Sequence, residues 1–255
     1  MNTLEVCCGN IESVRAAIEG GADRIELCRD LEHDGLTPDI EVVRQAVELC
    51  HPAGVKVHVL IRSREGSFVY TQDEVDTMTQ QISDICRCGA DGIVIGALTK
   101  DGDIDIEACQ RWVEASNSSL ITHHSSLDAF GITFHRAFDV CRNPFDAIEQ
   151  IIRLGCNRIL SSGQAQTAEA GIPMLKRLVE QSAGRITILC GAGVNENNAH
   201  RILTQTGATE IHGSLRTGLV TDARKVAMVK HHISPKNSKS EKSEKKNHNT
   251  RLDLK

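Results

Sequence analysis

At 255 residues the chain is long enough for one substantial hydrophobic core, and its net charge of −5 argues against nucleic acid as the main partner. From Pro235 onward seven Lys or Arg stand against three acids, so this tail carries +4 and the remainder −9. No run reaches the roughly 18 apolar residues of a membrane span, and Met1-Asn2-Thr3-Leu4-Glu5 shows no apolar leader. The expectation is a soluble, cytoplasmic protein with no membrane partner, whose ten cysteines are reduced thiols rather than a disulfide framework.

The first predicted strand, Leu4 to Cys8, is followed by a helix that Asn10 is suited to cap. GADRIELC, Gly21 to Cys28, then gives a glycine that closes the helix and an apolar run that reads as a strand. The pattern returns as GADGIVIG from Gly89, GCNRILSS from Gly155 and GATEIHGS from Gly207, with an isoleucine four places on each time: Ile25, Ile93, Ile159 and Ile211. Between the copies lie strands at Val55–Arg62, Gly131–His135 and Arg185–Gly191. Thr71 and Glu74 form a capping box that opens helix three. Asp101-Gly102 marks a turn before helix four, and Pro144 suits the first turn of helix five. A Ser- and His-rich stretch, Ser116 to Asp128, reads as a connection in which His123 and His124 are surface residues. A last helix spans about Thr221 to Ile233.

Eight strands alternating with helices imply parallel βαβ units. The repeat spans the chain, as a closed ring requires, so the predicted fold is a single-domain α/β (β/α)8 TIM barrel over residues 1–233, in preference to an open doubly wound sheet. The Lys- and Ser-rich segment 234–255 reads as a disordered tail, a solvated one rather than a nuclear address.

Strand three sets the facing of the side chains. Val57, Val59 and Ile61 are β-branched and suit the helix layer, which turns His58, Leu60 and Arg62 toward the axis. The same alternation sends Glu5, Cys7, Glu26, Cys28, His135 and His212 inward. Barrel interiors are normally layers of Val, Ile and Leu, and unpaired buried charge costs several kcal/mol, so this polar set demands a reason.

Three readings stand. One is an internal ion-pair network, with Glu5 and Glu26 satisfied by Arg62 and the histidines. The second is an enzyme doing acid–base chemistry on a small phosphorylated or sugar-like anion. Glu5, Glu26, His135, Asp139 and His212 are then catalytic candidates, together with Arg62 and Arg136, which would hold the anion. Gly191, Gly193, Gly213 and Ser214, ending strands seven and eight, are candidate phosphate donors through their backbone N–H groups. The third is a metal site in which Cys7 and Cys28, inward on neighbouring strands, hold Cu(I). Cys86 and Cys88 do not share a helix face and read as packing residues.

The stretches LEVCC, GGADRIELC, DGLTP (Asp34–Pro38), HVLIR, ITFHRAFD, RILSSGQA and EIHGS occur in an order that resembles the CutC family of copper homeostasis proteins, over roughly Leu4 to Arg216. The resemblance implies a (β/α)8 barrel, a cytoplasmic or also nuclear location, a homo-oligomer, copper as partner, and Cys7 and Cys28 as Cu(I) ligands. Three features depart from the family pattern, one of them the insertion before strand five, which is longer than usual. The loop after strand three reads Arg62-Ser63-Arg64-Glu65-Gly66-Ser67-Phe68, with an added carboxylate and a lost aspartate. After Ser214 a segment before the last helix is missing.

Overall fold

The computed structural model describes residues 2–122 and 130–234. Eight parallel strands close into a barrel in sequence order: β1 Thr3–Cys8, β2 Arg24–Leu27, β3 Lys56–Leu60, β4 Gly92–Ile95, β5 Gly131–Phe134, β6 Arg158–Ser161, β7 Thr187–Cys190 and β8 Glu210–Gly213. β1 pairs with both β2 and β8, which excludes an open sheet. The helices that jacket it are α1 Ile11–Glu19, α2 Ile40–Cys50, α3 Gln72–Arg87, α4 Ile106–Thr122, α5 Pro144–Arg153, α6 Ile172–Ser182, α7 Ala199–Thr206 and α8 Ala223–Ile233. A short antiparallel hairpin, Arg216–Thr217 with Val220–Thr221, precedes α8.

Local chemistry sets the element ends. Asn10 accepts from the Ser13 N–H at 2.8 Å, and Thr71 with Glu74 closes the reciprocal capping box. Pro144 opens α5, where its missing N–H costs nothing. The four repeat glycines, Gly21, Gly89, Gly155 and Gly207, have φ of 81°, 83°, 85° and 78°. That left-handed backbone turns each helix back toward its next strand without a Cβ penalty.

The facing of the strands follows the isoleucines. Ile25, Ile93, Ile159 and Ile211 are fully buried in the large apolar layer between barrel and helices. Each such side chain contributes roughly 1.5–3 kcal/mol through burial. Cys86 belongs to that layer and Cys88 packs against it. A one-residue slip would put charged neighbours such as Arg24, Arg158 and Glu210 in place of three of these isoleucines, and Gly92 or Val94 in place of Ile93. A separate small cluster of Cys7, Cys28, Leu60 and Val94 lies on the axis side.

One segment differs from its sequence reading. Ser116 to Asp128 is not a connection from its first residue, because α4 continues to Thr122. Ser116 and Ser119 donate to the Val113 and Ala115 carbonyls at 2.8 and 2.9 Å, so these polar residues find partners without leaving the helix. His123, His124 and the tail from residue 235 lie outside the described residues.

Candidate functional site

The barrel interior carries two polar levels. In the lower one, near the strand starts, Arg24 donates to Glu5 and also reaches Glu210 at 2.5 Å. Arg158 meets the same Glu210 at 2.9 Å. Glu5 accepts on its other oxygen from His212 Nδ1 at 2.8 Å. Glu5 is 1% exposed and Arg24 3%. Burial alone would raise the Glu5 pKa, but Arg24 and His212 outweigh it and hold the carboxyl well below its usual range. His58, also buried here, is pushed well below the usual imidazole range by desolvation and by Arg24. Its ring occupies the space that side chains at Gly92 and Gly131 would fill.

The upper level opens into a cavity of about 290 Å³ at the C-terminal end of the strands. Cys7 and Cys28 place their Sγ atoms 3.5 Å apart. Ligand atoms of Cys7, Glu26 and His212 all lie within 4.8 Å of one another, and all three residues are buried. Pairing with Cys28 and burial push the Cys7 thiol well up. In Cys28 the hydrogen bond with Cys7 pulls downward, yet burial and Glu26 prevail and the thiol is raised. Burial raises Glu26 despite His212, 3.5 Å away. Burial works against charge on His212, but Cys7, Glu5 and Glu26 overcome it, and its pKa lies well above the ordinary value. Since Glu5 engages Nδ1, His212 is oriented with Nε2 toward Glu26, the arrangement in which a carboxylate steers a histidine ligand.

Across the cavity, His135 Nδ1 accepts from the Ala137 N–H at 3.1 Å, which leaves the ring proton on Nε2. Burial, with Arg62 nearby, lowers this histidine to about 3, so it is neutral. The absence of a side chain at Gly96 makes room for its ring. Phe68 stacks against His135 with centroids 4.9 Å apart and carries the Arg62 guanidinium 5.1 Å from its own centroid. Asp139 is a different kind of residue. It accepts from Ser161 Oγ at 2.6 Å, Ser162 N at 3.0 Å, Ser162 Oγ at 2.9 Å, Gln164 N at 3.2 Å and Arg136 Nε at 2.8 Å. So many donors make it the knot that ties the loop after β5 to the loop after β6.

The profile of the CutC family matches residues 2–217. This chain belongs to the CutC family. A CutC family protein of Bacteroides thetaiotaomicron is 46% identical over 221 residues, 87% of this chain and 84% of its own length. One from Vibrio parahaemolyticus is 46% identical over 214 residues, 84% and 82% of the two chains. Among solved structures, the CutC protein of Streptococcus agalactiae, a proposed copper homeostasis protein, is 32% identical with a TM-score of 0.77, covering 84% of this chain and 99% of that one. A thiamine phosphate pyrophosphorylase from Pyrococcus furiosus, 18% identical with a TM-score of 0.57 over 91% of this chain and 95% of its own, shares the fold alone.

In this CutC-family barrel, Cys7, Glu26, Cys28, Arg62, His135, Arg136, Asp139 and His212 all line the one cavity. Glu5 lies beneath it. Arg62 does not neutralise Glu5 or Glu26. Its Nη atoms donate to the His33, Asp34, Gly35 and Gly66 carbonyls at 3.1–3.3 Å, and it fastens two loops over the mouth. Arg24 takes the place expected of Arg62 at Glu5. Gly191, Gly193, Gly213 and Ser214 do not border the cavity. A side chain at Gly191 would strike Leu160, and Gly193 has φ of 70°, so packing and turn geometry account for these two glycines.

Sequence reasoning missed Arg24, Arg158 and Glu210, each two residues before an inward position and therefore on the same face. It also missed Phe68, the platform between Arg62 and His135. No periodicity marks a loop aromatic of that kind. No helix among the described residues is long and apolar enough to cross a membrane, and all ten cysteines are free thiols.

Proposed function

We propose that this protein binds Cu(I) in the barrel mouth through Cys7 and Cys28 and serves copper homeostasis in a reducing, cytoplasmic compartment. The observation that carries this reading is the buried thiol pair, 3.5 Å apart, with His212 and Glu26 beside it. Soft thiolates select Cu(I), and imidazole is a compatible further donor. The donor set fits the ion: two sulfurs, a histidine already steered by Glu5, and a carboxyl close by. The likeness to the Streptococcus agalactiae protein supports it.

Both thiols are held protonated by their surroundings, so loading must release protons and apparent affinity rises with pH. The test is a Cu(I) titration against a competing chelator at several pH values, comparing wild type with Cys7→Ser/Cys28→Ser. The double variant is expected to lose most of its affinity and its pH dependence. Equal affinity in the two proteins removes both thiols from the account.

A second reading, acid–base catalysis on a small substrate, is favoured by one observation. Two buried carboxyls in the same barrel are driven apart, Glu5 downward by Arg24 and His212 against burial, Glu26 upward by burial. Such divergence separates an acid from a base in many active sites. Glu26 would then be the proton donor. Ligand binding by metal-free protein distinguishes this reading from the first.

A further inference from the structure

Beside the thiol pair the cavity wall holds a second, overlapping donor set. Cys7 Sγ, a Glu26 carboxylate oxygen and a His212 ring nitrogen lie within 4.8 Å of one another. All three residues line the cavity, and each keeps a trace of accessible surface: 8% for Cys7, 5% for Glu26 and 9% for His212. The strand register brings them together. Cys7 stands opposite Glu26 on β2, and Glu5, two places before Cys7, stands opposite His212 on β8. Glu5 takes His212 Nδ1 at 2.8 Å, which leaves Nε2 on the side of Glu26, 3.5 Å from its Oε2. A carboxylate on the far ring nitrogen is the usual support of a metal-binding histidine. Cys28 stands apart. Its Sγ is 3.5 Å from Cys7 Sγ, but it does not join the mutual group.

One sulfur, one carboxylate and one imidazole select a borderline divalent ion. Magnesium and calcium call for oxygen ligands, and Cu(I) prefers sulfur. Charge points the same way. A thiolate and a carboxylate together cancel a divalent cation, so the loaded site is neutral and avoids the cost of burying net charge. Distance agrees as well. Zinc bonds of about 2.3 Å to sulfur and about 2.0–2.2 Å to nitrogen and oxygen set tetrahedral donors roughly 3.4–3.6 Å apart. The His212–Glu26 separation already has that value.

We infer that Cys7, Glu26 and His212 form a Zn(II) site whose fourth position opens into the cavity. Three protein ligands with one open position are the pattern of zinc that acts on a substrate, whereas zinc that only braces a fold is closed by four. The cavity, about 290 Å³, leaves room above the ion for water and a small ligand, since a water takes about 30 Å³. Loading displaces the protons of the ligands. The site does not depend on the copper reading, because Cys28 is essential there and is no ligand here. The two ions compete for Cys7.

The experiment titrates the reduced, copper-free full chain with Zn(II) against a chromogenic chelator, and with Co(II) for its absorption spectrum. One Zn(II) per chain is expected to bind. Glu26→Gln and Cys7→Ser should each weaken it by more than about 100-fold, beyond the roughly 10–100-fold cost of losing an outer-shell partner. Cys28→Ser removes only a neighbour of the Cys7 sulfur and should stay within about tenfold of wild type. Co(II) in the wild-type chain should show a sulfur-to-cobalt charge-transfer band, and ligand-field bands that shift when azide takes the open position. That spectrum needs no variant, so it decides the matter even where a substitution prevents folding. Equal Zn(II) affinity in wild type and Glu26→Gln would place the ion elsewhere and overturn the site. So would failure to bind Zn(II), or a cobalt spectrum without the sulfur band. A loss in Cys28→Ser as large as that in Glu26→Gln would overturn the three-ligand assignment, and ligand-field bands unmoved by azide would overturn the open position.

Discussion

Along the barrel axis, the same residue types behave in opposite ways at the two levels. Below, Glu5 and Glu210 share Arg24, Arg158 joins Glu210, and each carboxylate has a cation in contact. Arg158 Nη1 and His58 Nδ1 have no hydrogen-bond partner among the described residues, although His58 Nδ1 lies 4.0 Å from Glu5, and neither residue borders the cavity. Above, thiols, a raised carboxyl, a neutral histidine and an arginine without an acid surround open space. The lower level is a closed electrostatic circuit that replaces the usual aliphatic filling. The upper level is left incomplete by the protein's own side chains, and it sits at the strand ends where barrels do their chemistry. A polar barrel interior is therefore not one signal but two, and pairing tells them apart.

The largest effect that could break this contrast comes from Arg24. Arg24→Met fills similar space but leaves Glu5 and Glu210 without their shared cation. Removing one partner of a buried ion pair costs about 3–5 kcal/mol, and urea unfolding at neutral pH should show a loss of that size. Adding Glu5→Gln to Arg24→Met should recover part of it, because the stranded charge is gone. A loss below about 1 kcal/mol would mean that the lower circuit is not the structural support its geometry implies.

Acid titration separates the levels by another route. His135 is lowered from its ordinary 6.5 to about 3 and His58 is also strongly lowered, desolvation leading in both. Below 6.5 the unfolded chain takes up protons that these folded histidines refuse. Stability present above that pH is therefore lost as pH falls toward the folded values, on the order of a few kcal/mol in all. Glu5, held low, adds a further loss beneath its unfolded value near 4.5. His212 works in the other direction. Its contribution is complete below 6.5 and disappears as pH rises through its elevated folded pKa. Between about pH 8 and about pH 4, the difference in unfolding free energy between wild type and His135→Phe should shift steadily in favour of the variant as the wild-type penalty grows. Parallel curves would show that His135 is not kept neutral by its site.

Much of this architecture was legible in the residues themselves. The four-fold Gly-to-Ile repeat gave the number of units, and the isoleucine fixed which side chains face the axis. With the β-branched alternation of strand three, that parity places Glu5, Cys7, Glu26, Cys28, His135 and His212 on the interior, where the structure has them. The same parity carried two residues toward the strand starts yields Arg24, Arg158 and Glu210, so this omission was one of reach rather than of signal. Arg62 is another matter. A strand-end arginine has a long, flexible stem, and its choice of the carbonyls of residues 33–35 over Glu5 depends on a loop folding back across the mouth. No local pattern encodes that return. Asp139 stands in the sequence only as a catalytic candidate, because the donors that tie it down, Ser161, Ser162 and Gln164, come from the next βα unit. Gly191 resembles a phosphate-binding glycine, whereas its missing side chain leaves room for Leu160 of the neighbouring strand β6.

The smallest expected effect is the sharpest comparison of the two levels. Glu5→Gln and Glu26→Gln are the same chemical change on adjacent strands, each in a buried carboxyl. Glu5 is held ionised by Arg24 and His212, so an amide there removes charge from a circuit that needs it and turns an N–H₂ toward Arg24. Hydrogen bonds to charged groups contribute about 1.5–3 kcal/mol each, and a loss of at least that size is expected. Burial pushes Glu26 toward its neutral form, and a neutral carboxyl is close to an amide in shape and polarity. Glu26→Gln should therefore change the unfolding free energy by less than about 1 kcal/mol near neutral pH, and the direction of any change should favour the variant as pH rises. The two variants unfolded side by side in urea give the answer. A Glu26 variant as damaged as the Glu5 variant would make the mouth carboxyl one more member of the lower circuit and leave the thiols as the cavity's main distinguishing chemistry.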